Sequence, residues 1–343
     1  MIRFSEFVSL GHPDKIADYI SQFILDKYIE NDSLTRYAVE VQIKDNYVTL
    51  GGEIASKVQF ADDELLSYVK RAIADIGYNE EYNKIWGGNA ISVNDIVLNN
   101  RIGQQSQDIA QGLNGWGDQG IFFGFATADS KTEYMPEDYA LARRINKALF
   151  DSNIGGIDIK TQVLINDDDV SKVIVAIPLI TESVSEVMEI VRRFAPNAEI
   201  IINGTGKYVQ HSSIADCGTT GRKLVVDFYG GNSKIGGGSP WTKDGSKADL
   251  TLNLYARELA KKNAIKYGKD IYTSLACCIG KQEVDYIVTT DDNKVIEKGC
   301  KKIAPQDLIE RYHLNKPIFA SMCKWGLFGE YQVDKEWEKG GAQ

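Results

Sequence analysis

The chain has 343 residues, 43% of them hydrophobic, and a formal net charge of −9. That is enough for two or three domains with real cores, and the acidic balance excludes a nonspecific nucleic-acid binder. No apolar run approaches a membrane span, and MIRFSEFVSLGHPDK at the N-terminus has no apolar core of signal-peptide length. The five cysteines include no CxxC pair and are expected as free thiols in a reducing, cytoplasmic setting.

In chain order, residues 13–30 read as a helix, with Pro13 suited to its first position and Ile16, Ile20, Phe23 and Ile24 on one face. Ala38 to Leu50 alternates around a turn near Asp45-Asn46 and predicts a β-hairpin, followed by a helix at about 61–76. A second unit repeats the order. It has a helix at about 136–150, a hairpin from Thr161–Asn166 and Val173–Ile177, and a helix at about 182–194. A third has a helix at about 246–267, strands at about 272–280 and 284–290, and a short helix after Pro305. Further strands are expected at Ile121–Ala126, Glu199–Ile202 and Leu224–Phe228. The pattern predicts three similar α+β domains, spanning 1–104, 115–209 and 211–335, each an antiparallel or mixed sheet covered by helices.

Glycines and cations gather between Asn203 and Asp249, in DCGTTGRK (Asp216–Lys223), YGG (Tyr229–Gly231) and GGGSPWTKDGSKAD (Gly236–Asp249). Glycine lets backbone N–H groups approach a ligand, and Arg222, Lys223, Lys243 and Lys247 bring positive charge, so these are the parts of a polyphosphate cradle. It is not a Walker loop, because GxxxxGK[ST] is absent, and no GxGxxG opens a helix after a strand. At the other end of the chain GHPDKIAD puts His12, Asp14 and Lys15 at an expected, exposed helix start. There Asp14 suits Mg²⁺ and the other two suit phosphate; a capped helix with a surface histidine gives the same residues. Asp249 is a second carboxylate for Mg²⁺, far away in sequence. Glu53 in GGEI and Asp118 in GWGDQG sit beside glycines where a ligand can come close, though ordinary turns explain both. Glu40 lies on the strand face opposite Val39 and Val41. With three histidines in all, the chemistry points to electrostatic positioning rather than a histidine-based hydrolase or metal site.

Taken together and in order, GHPDKIAD, GGEI, IGQQSQDI, GDQG, DIKTQV, DCGTTGRK..VDFYGG and GGG...KD.SK.D resemble the S-adenosylmethionine synthetase family over nearly the whole chain. The resemblance implies three domains about a pseudo-threefold axis, and a homodimer, sometimes paired into a tetramer, with sites at the subunit interface. It implies ATP and L-methionine as substrates, two Mg²⁺ ions per site and K⁺, with no nucleic-acid or membrane partner. By that resemblance His12 lies near the triphosphate and C5′, Asp14 and Asp249 hold Mg²⁺, and Glu40 holds K⁺. Glu53, Gln105, Asp118, Asp216 and Lys247 contact methionine. Asp158, Lys160, Lys207, Tyr208, Asp216, Arg222, Lys223, Ser239 and Lys243 contact the nucleotide. His12, Lys160, Arg222, Lys243 and Lys247 carry the catalysis.

The chain departs from the family pattern in several places. The loop after Gln105 is several residues short, Lys207 stands in place of Arg, and Tyr208 stands in place of a Phe that stacks on adenine. Gln210–Ser213 replaces a Gly-Gly-Pro-type segment, and Ser239-Pro240-Trp241 replaces small residues. A relaxed-specificity member that uses methionine analogues, and a non-catalytic nucleotide-binding relative, are the alternatives these departures raise.

Overall fold

The computed structural model describes residues 2–104, 115–180 and 183–340. The chain opens with β1 (Ile2–Val8), α1 (Pro13–Asn31), β2 (Arg36–Lys44), β3 (Tyr47–Ala55), α2 (Asp62–Ile76), α3 (Glu80–Trp86) and β4 (Val97–Gln104). It continues with β5 (Gly120–Ala126), α4 (Glu137–Ser152), β6 (Lys160–Asn166), β7 (Asp169–Ala176), α5 (Val184–Phe194) and β8 (Glu199–Ile202). The last third holds α6 (Ser212–Ala215), β9 (Gly218–Thr219), α7 (Leu224–Asp227), α8 (Ala248–Tyr267), β10 (Ile271–Cys277), β11 (Glu283–Thr290), β12 (Val295–Lys302), α9 (Pro305–Arg311) and α10 (Phe319–Met322).

Local chemistry explains the main elements. Pro13 occupies the first turn of α1, and the His12 ring caps the helix by accepting from Asp14 N–H at 3.1 Å. In β2 the alternate residues Val39, Val41 and Ile43 are fully buried beneath α1, and each contributes about 1.5–3 kcal/mol through that burial. Lys44 pairs with Tyr47 across the hairpin, and Asp45 turns the chain with φ 53°, a left-handed conformation that aspartate tolerates.

The three sheets share one plan, with strand orders β9-β2-β3-β4, β1-β6-β7-β8 and β5-β10-β11-β12. Each is a hairpin with a fourth strand on one side and a borrowed strand on the other. The borrowing is cyclic. The last third lends β9 to the first hairpin, the first third lends β1 to the second, and the middle lends β5 to the third. α1, α4 and α8 pack on the respective sheets. The fold is therefore α+β with mixed sheets: the fourth strand runs parallel in the first two (β3 with β4, β7 with β8) and antiparallel in the last.

Three expectations need correction. Leu224–Phe228 is the helical turn α7 rather than a strand, because the free edge of β2 is taken by 218–220 and 242–244, and Asp227 is drawn inward to Lys15 and Trp241. The hairpins do not build self-contained sheets, since each needs a strand from elsewhere. Finally, the start of α1 is buried rather than exposed: His12, Pro13, Asp14 and Lys15 all lie inside. Beyond these, β1, β4, β9, β12, α3, α6 and α10 had no counterpart in the sequence reading.

Candidate functional site

The outer edge of β2 organises the site. Residues 218–219 pair antiparallel with Gln42 and Ile43, and Thr220 N–H donates to Val41 O at 3.0 Å. Further along, Val39 N–H donates to Thr242 O at 3.1 Å, Asp244 N–H donates to Tyr37 O at 3.2 Å, and Ala38 bridges Lys243. The DCGTTGRK and SPWTKD segments thus hang side by side from one strand. Glu40 stands between them, its carboxylate accepting from the hydroxyl of Thr220 and, at 3.1 Å, from that of Thr242. The segments also touch directly. A Cβ on Gly221, whose φ is +72°, would lie 3.1 Å from the Ser239 Cβ, so the left-handed conformation favours glycine there and leaves little room for a side chain.

The first turns of α1 brace the first segment from below. Asp14 is almost fully buried; one carboxylate oxygen accepts Thr219 N–H at 2.9 Å, and the other meets Lys223 Nζ at 2.5 Å. Arg222 Nε stands 3.7 Å from the same carboxylate. One turn on, Asp18 accepts Gly221 N–H at 2.8 Å. Beneath lies Lys15, in ion pairs with Asp18 at 3.0 Å and Asp227 at 2.7 Å and 4.7 Å from the centre of the Trp241 ring. Burial opposes the Lys15 charge, but the two carboxylates outweigh it and hold the ammonium above its ordinary range. His12 behaves oppositely. Burial first, then the positive charges of Lys223, Lys160, Lys15 and Arg222, push its imidazole down to about 2. Its Nδ1 is committed as the helix cap, so the neutral ring carries its proton on Nε2.

Beside His12 opens a cavity of about 400 Å³ lined by Pro13, Asp158, Lys160, Asn203–Thr205, Lys207, Tyr208 and Asp216. Asp158 is nearly fully buried. Its Oδ2 accepts Ser212 N–H at 3.0 Å, while Oδ1 has no hydrogen-bond partner among the described residues. Burial pushes its carboxyl up to about 6. The Tyr208 hydroxyl donates to Asp158 O at 3.2 Å, which fixes the ring at the cavity wall. Lys160 and Lys207 form no ion pair among the described residues, leaving two cations at this wall.

The second group gathers at the start of α8. Lys247 is the N-cap residue, and Asp249 in the first turn pairs with Lys243. Gly238 passes so close to Asp249 that a Cβ would sit 2.1 Å from Oδ1. Cys277 lies near both Asp118 and Asp249, and burial, aided by these charges, pushes its thiol up to about 11. Asp118 is exposed, and Glu53 faces outward on the helix-free side of the first sheet, across from Ala38. Each magnesium candidate is thus in its own ion pair, Asp14 with Lys223 and Asp249 with Lys243. Gln105 lies outside the described residues. Sequence reasoning missed Asp18, Asp227, Asn203 and Ser212. Of these only Asp18 carried a signal, standing four residues after Asp14 on one helix face.

All three parts of the chain match models of one family. The S-adenosylmethionine synthetase N-terminal domain model covers residues 1–107, the central domain model 113–208 and the C-terminal domain model 211–339. An S-adenosylmethionine synthase from Acholeplasma laidlawii is 34% identical, over 98% of this chain and 96% of that protein. One from Borrelia garinii is 33% identical, over 98% and 94%. Among solved structures, an S-adenosylmethionine synthetase from Campylobacter jejuni, described as unusual, superposes with a TM-score of 0.88 at 30% identity, covering 99% of this chain and 97% of that one. With the sheet-edge site and all three domain models agreeing along one chain, the protein belongs to the S-adenosylmethionine synthetase family.

Proposed function

We propose that the protein is a methionine adenosyltransferase, joining the thioether sulfur of L-methionine to C5′ of ATP and releasing the whole triphosphate, which is then hydrolysed to pyrophosphate and phosphate. The observation that carries this reading is the pair of cationic segments held side by side on the edge of β2, next to the cavity between His12 and Tyr208. A neutral thioether needs no general base. The demand falls on orientation and on stabilising negative charge as the C5′–O5′ bond breaks.

The nucleoside end fits the cavity, with Tyr208 offering its π face to adenine and Asp158 and Lys160 at the wall. The triphosphate runs toward Arg222, Lys223, Ser239 and Lys243. His12, held neutral, donates from Nε2 to a phosphate oxygen without adding a charge that Lys223 and Arg222 would oppose. Asp216, at the cavity rim, is shared between nucleotide and methionine, and Glu53, Gln105, Asp118 and Lys247 complete the methionine side.

The donors suit the expected cations. Magnesium takes one or two carboxylates and fills the rest of its shell with phosphate and water oxygens, so Asp14 and Asp249 need no denser cluster. Potassium suits Glu40 among threonine oxygens. Bound there, these ions would neutralise the departing triphosphate. Glu40 and Glu53 share an open sheet face with Tyr47 and Val97, which pair across strands and are 63% and 48% exposed. That face supports a homodimer with the site completed by the partner, and a dimer of dimers beyond it.

The test is direct. Protein incubated with ATP, methionine, Mg²⁺ and K⁺ should yield S-adenosylmethionine with stoichiometric pyrophosphate and phosphate. Nucleotide binding without product would overturn the reading in favour of a regulatory relative, and equal efficiency with ethionine would point to relaxed specificity.

A further inference from the structure

The segment that departs from the family pattern at Gln210–Ser213 is built into the nucleotide wall through a chain of hydrogen bonds whose directions are fixed. The His211 Nδ1 lies 2.7 Å from Val209 O. A carbonyl only accepts, so Nδ1 carries the proton. In a neutral ring Nε2 then only accepts, and its neighbour at 2.5 Å is the Tyr82 hydroxyl, which must donate. The Tyr82 oxygen in turn accepts Ile157 N–H at 3.1 Å. The peptide that begins at Ile157 carries Asp158, whose Oδ2 accepts from Ser212 N–H and whose carbonyl accepts from Tyr208. The result is a closed loop of contacts, Val209–His211–Tyr82–Ile157–Asp158–Tyr208, with the last two residues lining the cavity.

The surroundings hold this loop in one geometry. His211 is fully buried, edge-on to Trp86 at 4.7 Å between ring centroids. Tyr82 stacks on Trp86 at 5.7 Å and meets Tyr78 edge-on at 5.0 Å. Tyr78 donates to Gly11 O at 2.7 Å, so the same aromatic cluster reaches the residue before His12. The backbone of 211–212 is stapled to the first third of the chain, with His211 N–H donating to Asn89 O at 2.8 Å and Ser212 Oγ accepting Ile91 N–H at 2.9 Å. Burial pushes the His211 imidazole down to about 4, which keeps the ring neutral and, with the proton on Nδ1, leaves Nε2 as the acceptor.

We propose that Tyr82 and His211 are positioning residues for the nucleoside end of ATP, acting through Ile157 to set Asp158 and Tyr208 against the base and ribose. Neither touches the cavity itself. This rests on the methionine adenosyltransferase reading but concerns only the adenosine half of the substrate, and that gives it a separate signature. ATP and inorganic triphosphate share the phosphate cradle, and only ATP uses the cavity.

The experiment measures dissociation constants of the whole protein for ATP and for inorganic triphosphate, with Mg²⁺, by titration calorimetry. Tyr82→Phe keeps the ring stack and removes only the hydroxyl. It should weaken ATP about tenfold, the scale of one lost positioning hydrogen bond, and leave triphosphate within about twofold. In turnover it should raise KM for ATP and not KM for methionine. His211→Asn keeps a donor for Val209 but offers Tyr82 no acceptor. It should match Tyr82→Phe, and the double variant should be no worse than either, because both break one chain. His211→Gln, with an amide oxygen near the place of Nε2, should recover part of the loss. If His211→Asn folds poorly, Tyr82→Phe against His211→Gln carries the same comparison, and if Tyr82→Phe folds poorly, His211→Asn against His211→Gln carries it. Equal ATP-to-triphosphate ratios in wild type and folded variants would overturn the proposal, as would additive losses in the double variant. A wild type that binds triphosphate and not ATP would instead overturn the function proposed above.

Discussion

Asp14 concentrates the demands on this site in one side chain. It is buried, holds Thr219 N–H, and balances Lys223 and Arg222. Asp14→Asn keeps an oxygen for Thr219 but leaves two cations facing a neutral group and weakens any magnesium bound there. Formation of S-adenosylmethionine should fall by about 10²–10³-fold, the cost of one lost charged contact to a transition state, while the circular-dichroism melt shifts by only a few degrees. A melt that collapses with the activity would make Asp14 a structural residue first.

His211 gives a second test at this scale, through stability. Its folded-state value near 4 lies below the unfolded value of about 6.5, so the unfolded chain binds more protons between those limits. The stabilisation from the neutral ring is complete above about pH 6.5 and is lost as pH falls toward 4. Melting of wild type relative to His211→Asn should therefore decline on acidification across that window, by up to about 3 kcal/mol. A pH-independent difference would place a proton on His211 in the native state.

At the scale of elements, β2 does most of the arranging, and the sequence showed only half of that. The alternation at Val39, Val41 and Ile43 announced a strand with one buried face, because burial leaves a period of two in the chain itself. Which segments claim its edge leaves no such mark, since backbone pairing is indifferent to side-chain type. The apolar run Leu224–Phe228 therefore looked like a strand, yet it forms a helical turn once the edge is occupied. Likewise GTTGRK and SPWTKD were legible as a charged, glycine-rich cradle, but not as neighbours on one strand. His12 and Asp14 could be placed on a helix start, while their burial came from the packing of Tyr78 and the 218–221 segment, far away in sequence. Gly221 is the element-scale test. Alanine there meets a left-handed φ and the Ser239 side chain at 3.1 Å, straining the turn and pressing on the neighbouring segment. Activity should drop at least about tenfold, with destabilisation of roughly 1–2 kcal/mol, read from turnover and a urea melt. Full activity in Gly221→Ala would show that the spacing of the segments is not what the chemistry depends on.

For the whole molecule, the outward sheet faces carry apolar side chains that the described residues leave open, including Ile2 and Phe4 on β1, Tyr47 and Val97 on the first sheet, and Ile121 on β5. Val97→Glu puts a charge beside Tyr47 on the face that also holds Glu40 and Glu53. If that face joins two copies, sedimentation should show dissociation toward monomer, with activity falling in step and recovering as protein concentration rises. Monomers that keep full activity would show that one chain holds a complete site.

The circular loan of strands has a consequence for how the polypeptide comes off the ribosome. The hairpin of β2 and β3 is made early, but its edge partner at Gly218–Thr219 emerges more than a hundred and fifty residues later, and β1 waits for β6 before it has any neighbour. No third of the chain can close its own sheet. Folding is therefore obliged to finish late and all together, and a nascent chain stalled halfway would present bare strand edges to whatever surrounds it.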